Sequence, residues 1–195
     1  PQRRGGRRRR GARASTTARA ARLRRHGVGT VVSEPLPFLE SATAADIPEL
    51  ARLRWQLYVE QDGESAESPD EYRERFARFV GSALASDAWR SWVARDGERL
   101  AAAMWLYTVP RVPVPGKRAG PIGYLTNVYV EPAHRNAGLG AELLDQVTAW
   151  CRSEGFSAVI VWPTERSRPF YRRGGFDRPE EPLVRKLEPD APLER

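Results

Sequence analysis

The chain is poor in the residues that build covalent or metal-based stability. Cys151 is its single cysteine, which rules out an internal disulfide. Its place on the apolar side of a helical pattern reads as a small buried thiol rather than a reactive one. His26 and His134 are the only histidines, distant in sequence and with no cysteine cluster beside either, so no metal site is expected. Lysine is scarce: Lys117 and Lys186 are the only two among 32 basic residues, and the rest are arginine. Long apolar runs are missing as well. The most apolar stretch, residues 101–107, is far shorter than the ~20 residues of a membrane-spanning helix, so no membrane partner is expected and the chain reads as cytoplasmic.

What charge there is lies unevenly. Residues 1–35 hold eleven arginines and one acid, Glu34, a net of +10 in a chain of +7, which leaves the remainder at −3. This segment mixes Arg with Gly, Ala, Ser and Thr and shows almost no apolar periodicity, so burial cannot offset the entropy of ordering it. It is expected to be a disordered extension. Residues 27–32 are too short and too weakly apolar for a secretory core, although the Arg-rich, acid-poor composition overlaps that of organellar transit peptides. An extension without function is the leading reading, with adhesion to nucleic acid or a membrane, and targeting, as alternatives. Residues 36–188 suffice for one domain with one sizeable core, and 189–195 read as a C-terminal tail.

Along the domain, Phe38-Leu39-Glu40 reads as a first strand. Thr43 to Asp46 lead into a helix with Ile47, Leu50, Leu53, Leu57 and Tyr58 on one face. Residues 61–71 are polar and acidic, and a helix over about 72–84 carries Phe76, Phe79 and Val80 on its apolar side. Strands over 91–94 and 100–109 flank Arg95-Asp96-Gly97-Glu98, whose Asp-Gly pair signals a hairpin turn. A Pro/Gly-rich connection, 110–121, precedes an alternating strand over 124–130. Leu139, Leu143, Leu144, Val147, Trp150 and Cys151 then recur at helical spacing, Gly155 offers a stop, and 158–162 read as a further strand. The fold class is α/β (α+β): a mixed, mostly antiparallel sheet with helices on both faces.

Between that strand and that helix lies Arg135-Asn136-Ala137-Gly138-Leu139-Gly140. A helix start leaves its first N–H groups unpaired, and glycines without Cβ let an anion approach them. A nearby guanidinium adds a permanent charge. The ligand implied is a phosphate or pyrophosphate. A nucleotide loop of the Walker type is excluded because no Lys-Ser or Lys-Thr follows, and a dinucleotide fingerprint because Leu143 stands where its third glycine belongs.

The segment resembles the pyrophosphate loop of the GNAT N-acetyltransferase family, [Q/R]-x-x-G-x-[G/A], with every fixed position matched. Tyr124 to Val130 followed by Glu131-Pro132 looks like that family's fourth strand, and Phe170-Tyr171-Arg172-Arg173-Gly174-Gly175-Phe176 resembles its F-Y-x-x-x-G-F signature. The resemblance implies acetyl-CoA as co-substrate, held by the backbone of Val128, Tyr129 and Val130, by Arg135, and by the N–H groups of Asn136, Ala137, Gly138, Leu139, Gly140 and Ala141. It implies Tyr171 as the general acid that protonates the departing thiolate.

Acetyl transfer to an amine of pKa about 10.4 needs the proton removed first, a handicap of about 4–5 kcal/mol at pH 7. Some family members place carboxylates where this chain has Thr126 and Asn127, and neither of these can serve as a base. A water, Glu131 or an acid from 61–71 remain candidates. Glu60, Asp62, Glu64, Glu67, Asp70 and Glu71 suit a cationic amine electrostatically, though such a cluster is more often merely solvated. Trp105, Tyr107, Tyr124 and Trp162 either line an acceptor pocket or belong to the core. The function expected is acetyl transfer from acetyl-CoA to a primary amine of a small molecule or peptide, by direct attack, because no activated Cys or Ser is evident. The alternative is a binding module: a non-catalytic CoA-binding domain, or a nucleic-acid adapter acting only through the tail. A homodimer is compatible with either.

Because residues 1–35 lack a packing pattern, their removal is expected to leave the melting temperature and CoA affinity of the domain nearly unchanged. Scanning calorimetry and isothermal titration of the truncated chain measure both, and loss of folding on truncation contradicts the expectation.

Overall fold

The computed structural model describes residues 38–116 and 119–177; the expected extension and the C-terminal tail lie outside the described residues. One sheet contains β1 (Phe38–Ser41), β2 (Trp89–Asp96), β3 (Arg99–Val109), β4 (Ile122–Val130) and β5 (Ala158–Val161), in that spatial order. Neighbours are antiparallel except β4 and β5, which run parallel. That parallel pair requires a crossover, and the crossover is a helix, α3 (Leu139–Ser153). The other helices are α1 (Ile47–Asp62), α2 (Pro69–Leu84) and the short α4 (Arg168–Arg173).

The period-two alternation of the central strands sends side chains to two separate cores. Trp92, Ala94, Ala102, Met104, Leu106 and Leu125 face α3, where they meet Leu139, Leu143, Leu144, Val147 and Cys151, with Tyr171 of α4. Val93, Leu100, Ala103, Trp105 and Tyr129 face the other way, onto Leu50 and Leu53 of α1 and Val80 of α2. Each fully buried Leu or Val contributes roughly 1.5–3 kcal/mol relative to an exposed one. Helices therefore cover both faces, as the sequence leads one to expect. Burial pushes the Cys151 thiol up to about 11, consistent with a packing role.

Two details differ from the sequence reading. Helix α2 begins at Pro69, ahead of Tyr72, because Ser68 caps it: its Oγ accepts from Glu71 N, and the Glu71 carboxylate accepts from Ser68 N. Phe79, assigned to the apolar side, is 51% exposed and only edges against Trp89 at 5.6 Å.

The sheet has a defect that positions the site. Strand β5 pairs with β4 only from Ile122↔Ala158 to Leu125↔Val161 and then ends. Opposite β3, an extra residue enters β4 between Thr126 and Tyr129, and Asn127 takes a left-handed φ of 47°. Beyond Leu125 the outer edge of β4 is unpaired.

At the far end, Asp46, only 4% exposed, binds β1 and β2 to the start of α1. Its carboxylate accepts from Thr43 N (2.7 Å), Thr43 Oγ1 (3.0 Å) and Arg95, which also bonds Glu40. Burial works to raise the Asp46 pKa, but the Thr43 and Arg95 bonds outweigh it and hold the carboxyl below its usual range. A carboxylate depressed in the folded state stabilises above the unfolded pKa and loses that contribution as pH falls through the folded value. Asp46→Ala is therefore expected to cost about 1–3 kcal/mol at pH 7. In urea titrations the gap from wild type should narrow progressively below the usual carboxylate range.

Candidate active site

The connection from β4 to α3 runs through a 3-10 turn, Pro132–His134, and then Arg135 to Gly138. Asn136 (φ 65°) and Gly138 (φ 93°) are both left-handed, which curls the chain into the first turn of α3. Gly138 stands at the N-cap without any side chain to close the helix end. Among the described residues, the N–H groups of Asn136, Ala137, Gly138, Leu139 and Gly140 donate to no backbone carbonyl. That of Ala141, expected in the cradle, instead donates to Gly138 O at 2.9 Å. A Cβ on Gly140 would lie 3.4 Å from both Phe170 and Val130, so the helix start packs against α4 and β4 and leaves no room there for a larger side chain.

These donors open into a cleft of about 1700 Å³. The unpaired part of β4 forms its floor. Glu131 N donates to Ala101 O, so residues 129 and 131 address β3 and the backbone groups of Val128 and Val130 point into the gap beside β5. One wall is α1, through Arg54, Leu57, Tyr58 and Gln61 at helical spacing; the other is the segment from Trp162 to α4.

Arg135 does not point freely into this cleft. Its Nε donates to Val130 O (2.8 Å), one terminal nitrogen donates to both oxygens of Glu60 (2.9 and 2.8 Å), and the cation lies 5.3 Å from the centre of the Tyr129 ring. The Tyr129 hydroxyl completes the set by donating to Glu60 at 2.6 Å. Burial works to raise the Glu60 pKa, but the bonds from Tyr129 and Arg135 hold it below the usual range. Burial and the bond to Glu60 raise that of Tyr129.

Tyr171 sits on α4 with its ring between Phe170 (5.0 Å) and Phe176 (5.6 Å), and is 6% exposed. Burial, and secondarily the Tyr124 phenol, push its hydroxyl well above the ordinary value. Tyr124 in turn packs against Trp162 at 4.8 Å.

The remaining acids separate from one another. Glu131 pairs with Arg52, which also holds Glu49 (2.7 Å) and Leu100 O (2.8 Å). Glu67 pairs with Arg75 (2.6 Å), Asp70 with Arg73 (2.9 Å), and Glu71 is committed to Ser68. Of the six acids that sequence groups together, Glu60 and Asp62 line the cleft. Trp162 lines it too, at 43% exposure, whereas Trp105 is buried beneath α1 and α2 and Tyr107 packs on Trp89 at 4.8 Å. The pairing of Glu60 with Arg135 and Tyr129 had no sequence signal, since its partners lie 75 and 69 residues away.

Relatives share this architecture. A predicted acetyltransferase of Clostridium acetobutylicum, solved with acetyl-CoA, is 22% identical, with a TM-score of 0.66 over 77% of this chain and 96% of its own. A GCN5-related N-acetyltransferase of Ralstonia eutropha is 24% identical, with a TM-score of 0.64 over 77% of this chain and 97% of its own. In sequence, the aminoglycoside N(6')-acetyltransferase type 1 of Stenotrophomonas maltophilia is 29% identical over 119 residues, 61% of this chain and 70% of that protein. The glucosamine 6-phosphate N-acetyltransferase of Trypanosoma brucei brucei is 40% identical over 55 residues, 28% of this chain, and that match spans 37% of the trypanosomal enzyme. Residues 47–176, more than half of the chain, match the model of the Acetyltransferase (GNAT) family, and the chain belongs to that family.

Proposed function

We propose that this chain transfers the acetyl group of acetyl-CoA to a primary amine by direct attack. The observation that carries the reading is the meeting, in one cleft, of the unpaired edge of β4 with the open N–H groups at the start of α3. An extended pantetheine arm, which has amides of its own, satisfies Val128 and Val130 as an added strand does, and its pyrophosphate takes the donors of residues 136–140. The solved relative that carries acetyl-CoA supports the same choice of co-substrate.

In the transfer, the amine nitrogen forms a bond to the thioester carbon and loses a proton, and the carbon–sulfur bond breaks with its electrons going to sulfur. A phenol of ordinary pKa is already protonated at neutral pH, and burial, which pushes that of Tyr171 higher, keeps it so while making it a weaker acid. Full transfer from a phenol of pKa 10 or more to a thiolate of pKa about 8.5 is uphill by about 2 kcal/mol or more. Tyr171 therefore acts mainly by a hydrogen bond that strengthens as negative charge builds on sulfur. Glu131, Glu67, Asp70 and Glu71 are tied to partners of their own, so Asp62, which lines the cleft, and a water held near the Thr126–Asn127 bulge are the proton acceptors this reading favours. The names of two relatives, one for an amino-sugar phosphate and one for an aminoglycoside, support amino sugars as the first acceptors to try.

The absence of a carboxylate at positions 126 and 127 favours a second reading, a domain that binds CoA without turnover. Two variants separate the readings. Gly140→Glu places bulk and negative charge between Phe170, Val130 and the anion site. It is expected to abolish calorimetric acetyl-CoA binding in a folded protein, and unchanged affinity excludes this cradle.

Tyr171→Phe keeps the ring. It is expected to lower kcat by about 10²–10⁴-fold with CoA affinity nearly unchanged, in a thiol-release assay with an acceptor found among amino sugars, polyamines, amino acids and peptide N-termini. Normal kcat where chemistry limits the rate removes Tyr171 from the mechanism. Tight CoA binding with no turnover across that whole set favours the non-catalytic reading.

A further inference from the structure

Arg135 occupies the first fixed position of the anion loop, yet its cation is already matched. Glu60 takes one terminal nitrogen through both oxygens, Val130 O takes Nε, and the Tyr129 ring lies beneath the charge. Glu60 is itself fixed by the Tyr129 hydroxyl, and Tyr129 is 4% exposed. Two turns earlier on the same helix, Arg52 holds Glu131. Helix α1 thus grips both ends of the short segment between β4 and the loop, with ion pairs of opposite polarity about 12 Å apart along its axis. The helical end of the loop is anchored by Leu139 in the core and Gly140 against Phe170 and Val130, but among the described residues the N–H groups of 136–140 donate to no backbone carbonyl, so the strut bears on how those donors are aimed.

We propose that Glu60 is a positioning residue for the cofactor loop. It converts Arg135 from an anion ligand into a strut that sets the N–H groups of residues 136–140 and couples them to the acceptor wall on α1. This rests on the acetyl-CoA reading above. The strut is partly buried, with 30% of the Glu60 side chain and 28% of that of Arg135 exposed, so water screens it less than a free surface pair.

The test is a double-mutant cycle on CoA affinity, measured by calorimetry on the full chain, with melting temperatures alongside. A strut is broken by removing either end. Glu60→Ala and Arg135→Ala should each weaken CoA by about tenfold or more, the double variant should be no weaker than the worse single one, and Glu60→Gln, which keeps an acceptor for Tyr129, should recover part of the loss. If Arg135 were instead a direct pyrophosphate ligand, Glu60→Ala would release its cation and leave CoA binding unchanged or tighter, while Arg135→Ala alone weakened it. That pattern, or additive losses, overturns the proposal. If Glu60→Ala does not fold, Tyr129→Phe removes one hydroxyl and is expected to weaken CoA by about threefold, and unchanged affinity there overturns it equally. A wild-type chain that does not bind CoA at all overturns the acetyl-CoA reading, a result distinct from either pattern among the variants.

Discussion

The parting of β4 from β5 is the constraint from which the rest of the site follows. Strand β4 runs nine residues and β5 only four, so the inner strand outlasts its neighbour. Buried backbone donors and acceptors left without partners cost on the order of 1–3 kcal/mol each, and an open strand edge invites pairing. The fold spares Thr126 to Val130 that outcome by opening a cleft instead of closing the sheet. Arg135 Nε already satisfies Val130 O. Water or an extended ligand must serve the rest.

The same gap explains why three distant segments carry the site. The bulge at Asn127 turns the end of β4, the Gly138–Gly140 turn starts α3 against Val130 and Phe170, and α4 lines the cleft through Phe170, Arg173 and Gly174 while Tyr171 packs into the core beside α3. None of these pieces has a side chain poised as a nucleophile: Cys151 is buried in the core near the C-terminal end of α3, with its thiol pushed up to about 11. In the proposed reading the residues that matter most work through backbone groups, and the charged side chains around them hold the backbone in place.

Much of this was legible in the sequence because it is local. Alternation identified β4, the Asp96-Gly97 turn signal marked the hairpin of β2 and β3, helical spacing identified α3, and Gly138 marked a turn that takes a left-handed φ. The Phe170 to Phe176 stretch coincides with α4, whose Phe170 packs against Gly140. The errors came where local signals compete or are silent. Ser68-Pro69-Asp70-Glu71 reads as polar loop by composition, yet it is a capped helix start. Phe79 lies in the apolar phase of α2 but meets only the end of β2, edge-on at Trp89, and stays half exposed. The acids of residues 60–71, read as more often merely solvated, divide between partners of their own, solvent and the cleft, which Glu60 and Asp62 line. The contacts of Glu60 with Arg135 and of Arg52 with Glu131 span 75 and 79 residues, and nothing in one sequence couples such positions.

The central claim is that an extended arm completes β4 while an anion sits on the start of α3. Amide hydrogen exchange with and without acetyl-CoA tests this most directly. The account predicts new protection at Val128 and Val130 and across residues 136–140, with Tyr129, already paired to β3, little changed. Acetyl-CoA-dependent protection confined to α2 or β1, with residues 128–140 exchanging as in the free protein, would contradict it.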